Sequence, residues 1–370
     1  MRAFFFLLAL IAAAQVRGQG CCSGGSGSPI TGGASQGVLP AGQMELASSL
    51  QYLRSDRFKV QDRDTAQLFD HFKSNYIYSR LGYGITKNFT LSVEMGYYLN
   101  KTQVGLYDSV LLRSDVIESS GIADLIIFPR YNVFTRSDSS RQVELTLGLG
   151  YKIPLGKYKD STLVYTDPNS GQQYYTISPP IVQPTTGSQD LIAYAFFLRG
   201  FPKHKLKLFS SLMYIRKGWN PLGEKFGDYG ALSLFGSRSF GSLGLTLQLR
   251  AEQTGKMKAA ENMDLQAFYN VDTASTGSKR ISFSPQLSFS RNALTIFALT
   301  EVPVYEYVNG AQIATRTQYV FGLSYRFFSK KNPDCDPVPG EAWQCPMKCP
   351  GGGSDGPGKC KVCGMDLLQQ

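Results

Sequence analysis

Val143-Glu-Leu-Thr-Leu-Gly-Leu-Gly-Tyr151-Lys152 places an apolar residue at every second position and a polar residue or glycine between. Extended backbone points successive side chains to opposite faces. Val143, Leu145, Leu147, Leu149 and Tyr151 therefore share one face of a strand, and Glu144, Thr146, Gly148, Gly150 and Lys152 share the other. The pattern recurs along the chain. Phe89, Leu91, Val93, Met95 and Tyr97 alternate with Thr90, Ser92, Glu94 and Gly96; Leu243, Leu245, Leu247 and Leu249 alternate with Gly244, Thr246, Gln248 and Arg250. Ile281, Phe283, Leu287 and Phe289 alternate with Ser282, Ser284, Gln286 and Ser288. From Met44 to Phe328 the expected fold class is all-β.

Alternation also describes a soluble sandwich, with one face in the core and one in water. Three features favour a transmembrane barrel. The strands run to about ten residues, enough to cross a bilayer at a tilt near 45°, whereas sandwich strands are typically shorter. Aromatic residues (Tyr83, Tyr97, Tyr98, Phe134, Tyr151, Tyr325 and Phe327) sit near strand ends, as in an interfacial girdle. The connections alternate short and long: short near Lys87-Asn88, 136–140, 202–205, 240–241 and 291–292; long at 55–73, 101–120, 154–188, 218–225 and 254–277. Outer-membrane barrels alternate in this way between short periplasmic turns and long external loops. The count is about twelve antiparallel strands, an even number with both chain ends in the periplasm.

The last strand sets Tyr319, Phe321, Leu323, Tyr325 and Phe327 on one face and Gln318, Gly322, Ser324 and Arg326 on the other. It resembles the terminal strand read by the barrel-assembly machinery, with Gly322, Tyr325 and Phe327 at matching places. Val320 stands where a polar residue is usual, and a tail follows. Pro129, Pro285 and Pro303 fall inside strands; because proline cannot donate to a ladder, bulges or strand ends are expected there.

The 370 residues include 21 Tyr, 23 Phe and 38 Gly but only 2 Trp, and no internal apolar run reaches the ~20 residues of a spanning helix. The net charge of +10 comes from cations scattered singly, with small groups only at 203–207 and Lys330-Lys331. Without a basic stripe or a stacking platform, a nucleic-acid partner is not expected. Arg2 followed by the apolar run 3–14 reads as an export signal, too short to span stably. Two processing routes fit: cleavage after Ala14, or lipidation of Cys21, for which Gly20 is suitable but Gly18 is not. The domain reading is 1–20 signal peptide, 21–42 flexible periplasmic leader, 43–329 barrel and 330–370 tail.

Gly37-Val-Leu-Pro40 before the first strand, and Gly121-Ile-Ala-Asp124 leading to Pro129-Arg-Tyr131, resemble motifs of the bacterial family labelled as transporters of the phenol-degradation meta-pathway. The resemblance implies an outer-membrane barrel, and its label is not evidence for a substrate.

After Lys331 the composition changes, and five of the seven cysteines fall in the tail. Cys345, Cys349, Cys360 and Cys363 are spaced Cys-x3-Cys-x10-Cys-x2-Cys, like a knuckle in which two tight turns converge on one tetrahedral ion. Thiolates with the thioethers of Met347 and Met365 favour a soft ion such as Cu(I), while four thiolates alone suit Zn2+. So short a segment has no apolar core, and metal or disulfides must hold it. Disulfides stand as the alternative in an oxidising compartment. Cys335 reads as a bystander and the Cys21-Cys22 pair is left open.

Trp343-Gln-Cys-Pro-Met-Lys-Cys-Pro350 and Pro357-Gly-Lys-Cys-Lys-Val-Cys-Gly-Met-Asp-Leu367 resemble the heavy-metal-binding module of copper-efflux adaptors and copper-transporting ATPases. The resemblance implies that Cys345, Met347, Cys360, Cys363 and Met365 occupy the module's pattern positions. Lys348 replaces the module's histidine and cannot bind metal while charged; Cys349 follows it.

Three functional classes compete. The first is a barrel with a periplasmic soft-metal-binding tail, handling heavy metal (copper foremost) alongside lipid and periplasmic efflux components. Its lumen candidates are Arg80, Glu94, Arg130, Glu144, Lys152, Arg250, Glu252 and Arg326, which would line a polar path or plug the barrel as an ion-pair network. The second is a channel for small organic or hydrophobic compounds with a structural tail. The third, an enzyme, is disfavoured: the only histidines, His71 and His204, are expected on opposite sides of the membrane, and no serine signature accompanies them.

Overall fold

The structure, a computed structural model, describes residues 37–109, 113–137, 142–201, 204–261, 263–265, 272–291 and 293–328, together with 343, 344, 354, 368 and 369 of the tail. Twelve antiparallel strands form a closed barrel: β1 (Gln43–Ser55), β2 (His71–Thr86), β3 (Phe89–Asp108), β4 (Arg113–Ser137), β5 (Gln142–Pro154), β6 (Asp190–Phe201), β7 (Leu206–Arg216), β8 (Tyr229–Phe240), β9 (Leu243–Thr254), β10 (Ser278–Arg291), β11 (Leu294–Ile313) and β12 (Gln318–Phe328). Each strand pairs with the next, and β12 pairs with β1, so the barrel has no free edge.

The alternation has the polarity of a membrane barrel rather than a soluble sandwich. On β5, Leu147, Leu149 and Tyr151 are exposed on the outer surface, Leu149 at 71%, while Thr146 is at 0% and Glu144 and Lys152 are buried inside. On β9, Leu243 to Leu249 point outward and Thr246 and Gln248 inward; on β10, Ile281, Phe283, Leu287 and Phe289 point outward and Ser282, Ser284 and Gln286 inward. A water-exposed surface this apolar has no solvent to suit it but lipid.

Short turns connect β2 to β3, β4 to β5, β6 to β7, β8 to β9 and β10 to β11, all at one rim, where β1 also starts and β12 ends. The longer connections lie at the other rim. Two of them build their own hairpins: Phe58–Gln61 with Arg63–Asp64, which extends the sheet at β11, and Ser161–Thr166 with Gln173–Ile177.

Four expectations need correction. Residues 101–120 are not a long loop: β3 and β4 stay paired as a ribbon up to Asp108 opposite Arg113. Strands run through Pro129 and Pro285 without a register shift, and only Pro303 adjoins a bulge, at Ile281/Ser282. Tyr98 is not in the girdle: it continues the inward series Thr90, Ser92, Glu94 and Gly96 of β3, with its ring 4.6 Å from that of Tyr76. Residues 37–42 are not a free leader either. Leu39 is buried at the short-turn end of the barrel, its N–H donating to the Thr90 hydroxyl at 2.7 Å, and the Val38 N–H reaches the Glu144 carboxylate.

Candidate functional site

Because inward side chains come from every second residue, each expected lumen residue has the parity to point inside, and strand register decides its neighbours. Arg80 of β2 donates to Glu45 of β1 at 3.0 Å, and Arg326 of β12 reaches the same carboxylate at 2.7 Å. Lys152 of β5 lies 2.9 Å from Asp190 of β6 and 3.2 Å from Asp124 of β4, and Lys217, just beyond β7, lies 3.0 Å from Asp190. Arg250 and Glu252 of β9 join Arg280 of β10 and Glu301 of β11: Arg250 contacts Glu252 at 3.4 Å and Glu301 at 3.7 Å, and Arg280 pairs with Glu252.

The remaining three candidates bond otherwise. Arg130, 1% exposed, donates to the Ser92 hydroxyl at 3.1 Å and lies over the Phe128 ring. Glu144 accepts from the Thr146 hydroxyl at 3.1 Å, and Glu94 from the Tyr78 hydroxyl. The partners Glu45, Asp124, Asp190, Lys217, Arg280 and Glu301 were not among the sequence candidates. Their inward parity was readable for most, but their pairing depends on register.

The lumen wall also carries an apolar sector in which Phe128, Ile192, Tyr194, Phe196, Leu198, Phe209 and Phe235 pack together from β4, β6, β7 and β8. At the long-loop rim a cavity of about 470 Å³ lies between Ile215, Lys217, Tyr229, Thr254 and the loop residues Thr186, Phe226 and Met257. Outside the membrane span, Arg57 donates to Asp64 across the Phe58–Gln61 hairpin at 2.7 and 2.9 Å, and that bond holds the Asp64 carboxyl below its usual range. His71 sits at the long-loop rim on Asp70, at 2.6 Å, and His204 in a short turn at the other, so the two histidines share no site.

In the tail, Trp343 exchanges both backbone hydrogen bonds with Ser354, at 3.0 and 2.9 Å, and also pairs with Gln369, while Gln344 pairs with Leu368. One short strand thus gathers the chain at 354 and again at 368–369. In sequence, Cys345, Met347 and Cys349 fall between Gln344 and Ser354, and Cys360, Cys363 and Met365 between Ser354 and Leu368. Those six residues, like Cys335, Cys21 and Cys22, lie outside the described residues. Four thiols with two thioethers have the donor chemistry that suits a soft ion.

Residues 342–370 match the heavy metal binding domain family. The barrel is similar in fold to an outer membrane channel from Pseudomonas putida F1, at 12% identity and TM-score 0.57 over 79% of this chain and 97% of that one. Two further similar structures are the KdgM porin (10% identity, TM-score 0.35, 75% and 98%) and the translocator domain of the autotransporter NalP from Neisseria meningitidis (12%, 0.40, 78% and 90%). At such identities the likeness concerns fold alone. No curated protein matches the chain in sequence. The molecule is therefore a twelve-stranded barrel of outer-membrane type whose residues 342–370 match a heavy metal binding domain.

Proposed function

We propose that the protein is exported to the outer membrane, displays its tail in the periplasm, and handles a soft metal ion, with copper the favoured cargo. The observation that carries this reading is the family match of residues 342–370, with only residues 329–341 between it and a strand that ends at the short-turn rim. That rim faces the periplasm in barrels whose long loops are external. Cys345, Cys349, Cys360 and Cys363 would hold the ion, with Met347 and Met365 beside it; thiolates and thioethers select Cu(I) over harder ions. Lys348 in place of a histidine shifts the donor set further towards sulfur. The lumen then serves as the route across the membrane, and periplasmic efflux components are the expected partners.

The test is the metal content of the reduced, anaerobic full chain beside a variant with those four cysteines changed to serine. About one soft ion per chain, lost in the variant, is the expected result. Equal content in both would remove the metal role.

The apolar sector around Phe196 supports a second reading, a channel for small organic or hydrophobic compounds with a structural tail. On that reading the barrel without residues 332–370 would transport such compounds as well as the full chain.

A further inference from the structure

The connection between β5 and β6 does not stay outside the barrel. Its segment 178–188 is buried against the inner wall at the long-loop rim, with Val182 at 0% exposure and Ser178, Gln183, Thr185 and Ser188 also buried. The backbone hydrogen bonds of this strap stay within its own loop. Ser178 N–H donates to Asp160, Val182 to Pro179, Gln183 to Pro180 and Thr185 to Lys157, and the Gln183 side-chain amide adds bonds to the Asp160 and Ser178 carbonyls.

Its links to the wall are of another kind, because a side chain makes every one of them. Lys101 of β3 donates to the Gln183 carbonyl at 2.8 Å, and the Thr185 hydroxyl donates to Asp124 of β4. Lys152 of β5 donates to the Thr186 hydroxyl at 2.8 Å, the Ser119 hydroxyl of β4 to the Asp160 carboxylate at 2.7 Å, and, from the β7–β8 connection, the Asn220 amide to the Thr186 carbonyl at 3.0 Å. None of these is a rung of the barrel ladder, so all five can break without opening a strand pair. The strap is also stiff, since Pro179, Pro180 and Pro184 fix its backbone.

Both ends of the loop are glycine, and both need to be. A Cβ on Gly156 would meet the Ile122 carbonyl oxygen at 1.8 Å. Gly187 has φ +73, a left-handed conformation, and its Cβ would strike the Tyr158 ring at 2.6 Å. A self-bonded body between two glycines, held by side chains alone, has the build of a hinged lid.

We propose that residues 157–186 form a lid that swings on Gly156 and Gly187 and gates the long-loop mouth, latched shut by Lys101, Ser119, Asp124, Lys152 and Asn220. This rests on the channel reading above for its purpose, but not for its motion.

The test places a reporter under the latch. Val182→Cys is made in the full chain, and its reaction with an aqueous maleimide is followed in detergent, subtracting the labelling of the parent chain. Ser170→Cys, at the exposed hairpin tip, is the accessible control. With the latch intact, Val182→Cys should react about a hundredfold more slowly than the control, as expected for a group exposed only by local opening. Adding Lys101→Met and Asp124→Asn should raise the rate at least about tenfold and raise single-channel conductance in a planar bilayer. Retained heat-dependent migration on gels shows that each variant is a folded barrel.

A Val182→Cys rate equal to the control in the parent background would overturn the proposal, because the strap would not be seated. So would a slow rate and unchanged conductance in both backgrounds, the behaviour of a fixed plug. A rate that rises with no conductance in any variant would support the lid and refute the channel reading.

Discussion

Thr146 and Leu147 are neighbours in sequence with opposite surroundings. Thr146 is sealed inside the barrel, donating to Glu144, and Leu147 meets the membrane. A charge on the lipid face near the bilayer midplane costs about 2–4 kcal/mol. Leu147→Arg should lower the stability of the vesicle-folded barrel by that amount in reversible urea unfolding. Thr146→Val, which removes only a hydroxyl, should cost about 1 kcal/mol; equal losses would mean that the two faces are misassigned. Side-chain parity of this kind was legible because a strand has period two, and all eight lumen candidates have it. Which charges they meet was not legible, since pairing depends on strand register, and register shifts at bulges such as that at Asn75/Tyr76. A further residue-scale expectation concerns pH. The bond to Arg57 lowers the folded-state pKa of Asp64, so its contribution to closing the hairpin is present above the unfolded value of 3.8 and is lost as pH falls through the lower, folded one. Amide exchange in Phe58–Gln61 should therefore quicken on acidification below about pH 4, and Asp64→Asn should remove that dependence.

Among elements, the meeting of first and last strands depends on side chains as well as ladder bonds. Glu45 of β1 accepts from Arg326 and from Ser324 of β12 at 3.3 Å, Gln318 donates to Gln51 at 3.0 Å, and Arg316 reaches Asp56 at 2.8 Å. Breaking a buried pair by removing one partner costs about 3–5 kcal/mol because the other charge stays buried. Glu45→Gln strands two guanidiniums, Arg80 and Arg326, so it should destabilise the barrel by at least about 3 kcal/mol. Arg316→Gln, at the exposed end of the same seam, should cost no more than about 1 kcal/mol. Urea midpoints that fall equally for both would show that the seam is held by its ladder alone. The seam itself was not readable from either strand, whereas twelve strands and their alternating turns were. β6 shows where pattern reading stops. Leu191 and Phe197 face lipid while Ile192, Phe196 and Leu198 face the lumen, and a strand apolar on both faces carries no signal for which is which. The strap was hidden for a related reason: Pro-Pro-Ile-Val-Gln-Pro reads as loop whether it lies outside the barrel or folds into it.

At the level of the whole molecule, every barrel strand lies within 43–328, and β12 pairs with β1 inside that range. The tail is the reverse case, a segment of about forty residues with no apolar core, which a bound ion would have to order. If those two statements hold together, the parts respond separately to metal. Removing the ion from the reduced chain with a sulfur-rich chelator should collapse the dispersed amide signals of residues 342–370 while leaving the barrel's urea midpoint within about 0.5 kcal/mol of its starting value. A chain ending at Lys331 should give the same midpoint, bind no soft ion and migrate on gels as a folded barrel. The separation has a functional consequence. A tail that folds on metal without straining the barrel can signal only by what it then touches, in the lumen mouth or on a periplasmic partner. A barrel midpoint that moves by more than about 1 kcal/mol when metal leaves would contradict that independence and place the coupling within the chain itself.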